Sequence, residues 1–284
     1  MHTRPLIEAE ALAERLGDPA LAIIDCRFDL ARPDSGRERY DDEHLPGAVY
    51  ADLNRDLSAP VTSVSGRHPL PEPGDFAARL RAWGVNRDST VVAYDDGNAM
   101  YASRLWWMMR WVGHERVAVL DGGLRRWMQL GLPLDDAIPA RPPGDFVAHA
   151  RPELAVDLAQ VAAASADGSL RILDARAPER YRGEAEPIDA VAGHVPGAVN
   201  HPFTSSLGAD GRFLPAPELR AALGGALGDR GAPDTVAMCG SGVTACHLLL
   251  AMEVAGLRGG RLYPGSWSEW SRDPARPVAR GAAP

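Results

Sequence analysis

His44-Leu45-Pro46-Gly47-Ala48-Val49 returns 150 residues later as His194-Val195-Pro196-Gly197-Ala198-Val199. Around this pair, other blocks recur in the same order. Ile23-Ile24-Asp25-Cys26-Arg27 resembles Ile172-Leu173-Asp174-Ala175-Arg176 at an offset of 149. Val91-Val92-Ala93-Tyr94-Asp95 resembles Thr235-Val236-Ala237-Met238-Cys239 at an offset of 144, and Gly122 and Trp127 match Gly265 and Trp270 at 143. The offset drifts as unequal loops would make it drift. A period this long denotes duplicated domains rather than a solenoid. Between the copies, Ile138 to Pro152 holds Pro139, Pro142, Pro143 and Pro152 with little periodicity, the composition of a semi-rigid spacer. The sequence predicts a first domain over 1–140, a linker over 141–155 and a second domain over 156–284.

Composition excludes several function classes. With 284 residues, 45% hydrophobic and 24% charged, the chain can build two ordinary cores without disulfide or metal staples. A net charge of −8 argues against electrostatic binding to nucleic acid or to an anionic membrane. All 30 basic residues are arginine, so Schiff-base, pyridoxal-phosphate and P-loop chemistry lack their lysine. The three cysteines, Cys26, Cys239 and Cys246, form neither a disulfide framework nor a CxxC zinc pair, and no metal or organic cofactor is expected. No apolar run suits a signal peptide or a membrane span, so the expected location is the cytoplasm, where thiols stay reduced.

Within each half, apolar strand-like runs alternate with helical patterns. Ala20–Asp25, Thr90–Asp95, Val117–Asp121, Leu170–Asp174, Thr235–Cys239 and Arg261–Tyr263 read as strands. Asp75–Trp83, Ala99–Trp111, Leu124–Leu130, Glu218–Leu223 and Val243–Ala255 read as helices. That alternation predicts the α/β class: in each domain a mostly parallel sheet flanked by helices, with ligands beyond the carboxyl ends of the strands.

Cys239 falls at such an end. A strand delivers it, the loop Gly240-Ser241-Gly242-Val243-Thr244 follows, and an apolar helix begins. Two glycines let the backbone turn with its amides inward, and the helix N-terminus adds partial positive charge. Such a cradle favours thiolate over thiol and suits a cysteine that attacks or carries an anionic group. A buried, inert role is the alternative for any free cysteine, and it fits Cys26 and Cys246 better. A cysteine phosphatase would need an arginine six positions after the nucleophile, where this chain has Ala245.

The blocks DxR, HxPGA, CGSGVTAC and GSWSEW, with the tandem repeat, resemble the two-domain rhodanese-type sulfurtransferases over essentially the whole chain. The CGSGVTA loop is more similar to that of 3-mercaptopyruvate sulfurtransferases than to the CRKGVTA type of thiosulfate:cyanide enzymes. The resemblance implies two rhodanese-like domains, of which the first is catalytically silent, since Asp95 stands where Cys239 stands in the second. It implies that Cys239 takes a sulfane sulfur from a small anionic donor, 3-mercaptopyruvate or thiosulfate, as a persulfide. A thiol, cyanide or protein acceptor then removes that sulfur. The loop amides of Gly240, Gly242, Val243 and Thr244 would cradle it, with the Ser241 hydroxyl nearby.

By the same resemblance Arg180, in Arg180-Tyr181-Arg182-Gly183, binds the donor's anion, whereas Arg182 reads as a solvated charge. The second arginine common in the 3-mercaptopyruvate enzymes is replaced by Ile188. His68, in Gly66-Arg67-His68-Pro69, matches the histidine that reaches Ser241. The relay carboxylate position holds Asn54, which can orient a histidine but brings no charge. Trp127 and Trp270 read as core, and Trp267 as core or site wall. A different class of reading is an idle interaction module built on the duplicated fold.

Overall fold

Val91-Val92-Ala93-Tyr94 and its repeat Val236-Ala237-Met238 are continuous apolar runs, the pattern of strands covered on both faces. In a computed structural model describing residues 4–284, both are buried central strands of parallel sheets. The first three positions of the expected first domain lie outside the described residues.

The first sheet contains β1 (Leu6–Ile7), β2 (Leu21–Asp25), β3 (Val49–Tyr50), β4 (Thr90–Tyr94) and β5 (Val117–Leu120) in the order β1-β5-β4-β2-β3. Its helices are α1 (Ala9–Ala13), α2 (Ser35–Asp42), α3 (Pro73–Ala82), α4 (Ala102–Trp111) and α5 (Gly123–Gln129). The second sheet contains β6 (Arg171–Asp174), β7 (Ala198–Asn200), β8 (Thr235–Met238) and β9 (Arg261–Leu262) in the order β7-β6-β8-β9. Its helices are α6 (Leu158–Asp167), α7 (Pro178–Tyr181), α8 (Ala216–Leu227), α9 (Thr244–Val254) and α10 (Ser266–Trp270). A parallel bridge from Ala155 to Leu262 continues the second sheet where β1 continues the first. Every pairing of named strands is parallel, because each connection crosses over through a helix or loop. Among the described residues no helix is long and apolar enough to cross a membrane.

The repeated motifs have one structural meaning in both copies. Asp25 and Asp174 pair with Arg27 and Arg176 at 2.8 and 2.6 Å, fully buried at strand ends. Each arginine also donates to carbonyls of the turn beyond, Glu43 O in one and Gly193 O in the other. In HxPGA, Pro46-Gly47 and Pro196-Gly197 form turns closed by Ala48 N–H to Leu45 O and Ala198 N–H to Val195 O, both 3.0 Å. The glycines take φ of +72° and +80°, which explains glycine at the third turn position. His44 and His194 stack on Tyr40 and Tyr181, with Nδ1 bonded to the carbonyl of the same tyrosine. Both histidines serve the turn.

Contacts along the chain gather into two units whose edges differ from the repeat boundaries. Unit one holds residues up to Ala59 with Leu70–Arg151 and Ala209–Phe213; unit two holds Pro60–Pro69, Pro152–Gly208 and Leu214–Pro284. The segment Pro60–Pro69 joins unit two because Gly66 sits against Gly265, so close that a Cβ would fall 2.5 Å from its carbonyl oxygen. The stretch after Ile138, expected to be a spacer, is tied along unit one. Arg141 donates to Leu21 O and Gly47 O, and the amides of Gly144, His149 and Arg151 donate to Arg81, Val112 and Trp111 carbonyls. Its prolines cannot donate, but the residues between them can, and Phe146 anchors the strap by burial.

Candidate active site

Cys239 follows β8 directly and is buried. Its backbone is fixed on both sides. The N–H donates to Ser266 Oγ at 3.1 Å, and the carbonyl accepts from Trp267 N–H at 3.0 Å. Ser266 Oγ in turn donates to Tyr263 O, and Ser266 takes φ +53°, a left-handed conformation strained for a residue with a Cβ. The Sγ of Cys239 accepts from Gly242 N–H at 3.2 Å. Gly242 takes φ +78°, and a Cβ there would lie 2.5 Å from Pro264 O, so the loop requires glycine at this point. Thr244 opens α9, whose N-terminus adds partial positive charge beside the sulfur. Val243 is buried and Thr244 half-buried.

Ser241 Oγ and His68 Nδ1, both buried, are hydrogen-bonded at 2.7 Å. With His68 neutral and its proton on Nε2, the serine hydroxyl is the donor. The pairing depends on Pro60–Pro69 belonging to the same unit as the Cys239 loop.

Arg180 lies on α7 and reaches toward the loop. A Cβ on Gly240 would lie 3.6 Å from each of its Nη atoms. Its Nε and Nη2 bond Glu186, the shortest contact at 2.6 Å, and Nη2 also bonds Asp189 at 3.2 Å. Burial pushes the Glu186 carboxyl up, but Arg180 and the amides of Asp189 and Ile188 outweigh it and hold it below the ordinary range. Arg182 pairs instead with the exposed Glu184. Asn54, expected as an orienting residue, belongs to unit one and is exposed, and its backbone N–H donates to Asp52 Oδ1. An Asx turn therefore accounts for its position, and nothing in its own bonds gives it the orienting role.

Unit one holds the same loop without the sulfur. Asp95 follows β4 as Cys239 follows β8, and Leu124 and Arg125 amides bond the carbonyls of Asp95 and Asp96 as Trp267 and Ser268 bond those of Cys239 and Gly240. The Asp95 carboxylate accepts four loop amides, from Gly97, Ala99, Tyr101 and Ala102, at 2.9–3.2 Å. The loop backbone is thus an anion cradle, filled here by the chain's own carboxylate.

The other marked residues pack. Burial and the neighbouring Asp25 push the Cys26 thiol well up. Cys246 Sγ donates to Gly242 O at 3.2 Å beneath the loop. Trp127 and Trp270 are core, each donating its indole N–H to a proline carbonyl. Trp267 is fully buried, carries Arg176 4.7 Å above its ring and donates to Val191 O, so it serves as core. Sequence reasoning missed Arg67, quoted above only as a neighbour of His68. Its Nη2 would lie 3.2 Å from a Cβ on Gly240, nearer than Arg180. Among the described residues no cluster of His, Cys, Asp or Glu could hold a metal ion.

The rhodanese-like domain family matches residues 8–130 and 157–273. A Pseudomonas aeruginosa protein named "Probable 3-mercaptopyruvate sulfurtransferase" is 50% identical over 283 residues, 99% of this chain and 100% of its own. The thiosulfate sulfurtransferase of Rattus norvegicus is 35% identical over 281 residues, 95% of this chain and 92% of that one. The crystal structure of Escherichia coli SseA, a 3-mercaptopyruvate sulfotransferase with the "Rhodanese" fold, superposes with a TM-score of 0.81 at 36% identity, covering 94% of this chain and 100% of that one.

Proposed function

Because the chain belongs to the rhodanese family and is a sulfurtransferase, we propose that its single sulfur-carrying site is the Cys239 loop and that its donor is a small anion, 3-mercaptopyruvate or thiosulfate. The observation that carries this reading is the 3.2 Å bond from Gly242 N–H to Cys239 Sγ at the start of α9. In the first step the Cys239 thiolate attacks the donor's outer sulfur, forming an S–S bond. With 3-mercaptopyruvate the carbon–sulfur bond breaks, and its electron pair leaves on the pyruvate enolate, which takes a proton. With thiosulfate the sulfur–sulfur bond breaks and sulfite leaves. In the second step a thiol, cyanide or protein nucleophile attacks the outer sulfur of the persulfide and returns the Cys239 thiolate.

Loop amides hold the charge on the sulfur, and Ser241, oriented by His68, adds a hydroxyl at the same face. Arg180 binds the donor's anionic head. The Asp95 loop lacks a sulfur, and its cradle is already occupied, so the domain over 1–140 is silent in transfer. An idle scaffold is disfavoured by the intact Cys239 loop, and a phosphatase by Ala245, which is fully buried in α9 and offers phosphate no grip.

The test is steady-state transfer from each donor to cyanide or a thiol. Cys239→Ser should abolish transfer from both, and Cys26→Ala should leave it within a few-fold. Transfer at the original rate in Cys239→Ser would refute the reading.

A further inference from the structure

Arg67, Arg180, Asp189 and Gly240 of unit two converge beside Cys239. Arg67 Nη1 bonds Asp189 Oδ1 at 2.6 Å, and Arg180 Nη2 bonds Asp189 Oδ2 at 3.2 Å. One buried carboxylate thus holds both guanidiniums, one on each oxygen, and offsets their mutual repulsion. The remaining bonds of Arg180 run from Nε and Nη2 to Glu186, so its Nη1 takes no part in them. A Cβ placed on Gly240 would meet Arg67 Nη2 at 3.2 Å and Arg180 Nη1 at 3.6 Å. Each arginine therefore turns a nitrogen that Asp189 does not use toward the residue next to Cys239.

Arg67 is also held in place. Its N–H donates to Ser268 Oγ at 3.0 Å, and Ser268 N–H donates to Gly240 O at 2.9 Å, so its backbone is tied to the loop itself. Its Nε is buried without a hydrogen-bond partner, so the guanidinium is held by Asp189 through Nη1 alone. Ile188, standing where a second cation is expected, is 43% exposed and apolar, and leaves Arg180 alone on its side of the site.

We infer that Arg67 is the second half of the donor clamp, so that a carboxylate bridges Arg67 Nη2 and Arg180 Nη1 above Gly240. The inference rests on the sulfur-transfer reading above. It assigns the missing cation to the segment that also brings His68, and it makes Gly240 a requirement of space, since any side chain there would occupy the anion's position. Asp189 is the positioning residue that keeps both forks aimed.

Pyruvate is the probe, since it carries the donor's carboxylate and no transferable sulfur. Its binding is measured by calorimetry on Cys239→Ser protein, with and without Arg67→Gln, which keeps most of the stem and removes the charge. Arg67→Gln should weaken pyruvate roughly ten- to hundred-fold, the loss of one charge-assisted hydrogen bond. In Cys239-containing protein it should lower kcat/KM for 3-mercaptopyruvate by a similar factor. Sulfur discharge from enzyme already loaded as the persulfide should stay within a few-fold, and Arg67→Lys should recover part of the binding. Unchanged pyruvate affinity would overturn the inference, as would equal losses in loading and discharge, the mark of a loosened segment. Neither result touches the sulfur-transfer reading, which is tested separately by whether Cys239→Ser still moves sulfur.

Discussion

Arg180→Ala removes two things at once, and they can be measured apart. The first is the nitrogen facing Gly240. A charge-assisted hydrogen bond of about 1.5–3 kcal/mol corresponds to a roughly ten- to hundred-fold fall in kcat/KM for an anionic donor. The second is the pairing of Glu186 and Asp189, whose side chains are 3% and 7% exposed. Glu186 keeps Arg176 Nη1 at 3.4 Å and the amides of Ile188 and Asp189, so its carboxylate is not abandoned. The stability loss should therefore be about 1–3 kcal/mol, between that of an exposed pair and that of a broken buried one.

This loss has a pH signature. Burial raises the Glu186 value, and Arg180 is the main reason that it nonetheless lies below the ordinary range. Its contribution to stability is therefore present above the ordinary glutamate value and fades as pH falls through the lowered one. Without Arg180 burial is less opposed, the value rises, and acid unfolding should begin at a higher pH. The assays are donor kinetics at neutral pH and thermal unfolding followed from about pH 7 to about pH 3. Arg182→Ala, whose guanidinium pairs with exposed Glu184, should leave both unchanged. Equal effects at the two arginines, or none at Arg180, would refute the clamp and its role in holding Glu186.

Gly242→Ala should lower transfer by more than tenfold and destabilise by about 1–2 kcal/mol, since φ +78° and the Pro264 carbonyl leave no room for a Cβ; kinetics with chemical denaturation checks it. Asp95→Ala should leave four amides without their acceptor, three of them buried, and cost at least about 3 kcal/mol by denaturant unfolding at about 1–3 kcal/mol for each buried one, with kcat per folded molecule unchanged. His68→Ala should reduce turnover roughly hundred-fold. Turnover within a few-fold of the original in steady-state kinetics would remove His68 from the chemistry.

Motifs repeated in the two halves were legible because a parallel α/β unit writes its strand ends locally. Asp-x-Arg is a buried ion pair, Pro-Gly a turn, and an apolar run ending in Cys239 before Gly-Ser-Gly a strand opening into a cradle. The two- and three-residue strands β1, β3 and β7 were not legible, since so few residues carry no period. For the strap after Ile138, proline content reports stiffness and says nothing of the carbonyls its neighbours can reach. Arg67 was hidden for a related reason. It lies in the first sequence half, one among 30 arginines, and its part in the site depends on Gly66 seating against Gly265. Its adjacency to His68 was the available signal, because the segment bends at residues 67–68 and so can bring neighbouring side chains to one site. Asn54, picked out by its motif position, is exposed and its backbone amide closes a local turn onto Asp52.

The most direct measurement is the mass of the protein after brief incubation with 3-mercaptopyruvate or thiosulfate in the absence of acceptor, followed by peptide mapping under non-reducing conditions. The account predicts the gain of one sulfur atom, located on the peptide containing Cys239, discharged by a thiol, and absent from Cys239→Ser protein. A transferable sulfur on the peptide of Cys26, or turnover with no sulfur ever carried by the protein, would contradict it.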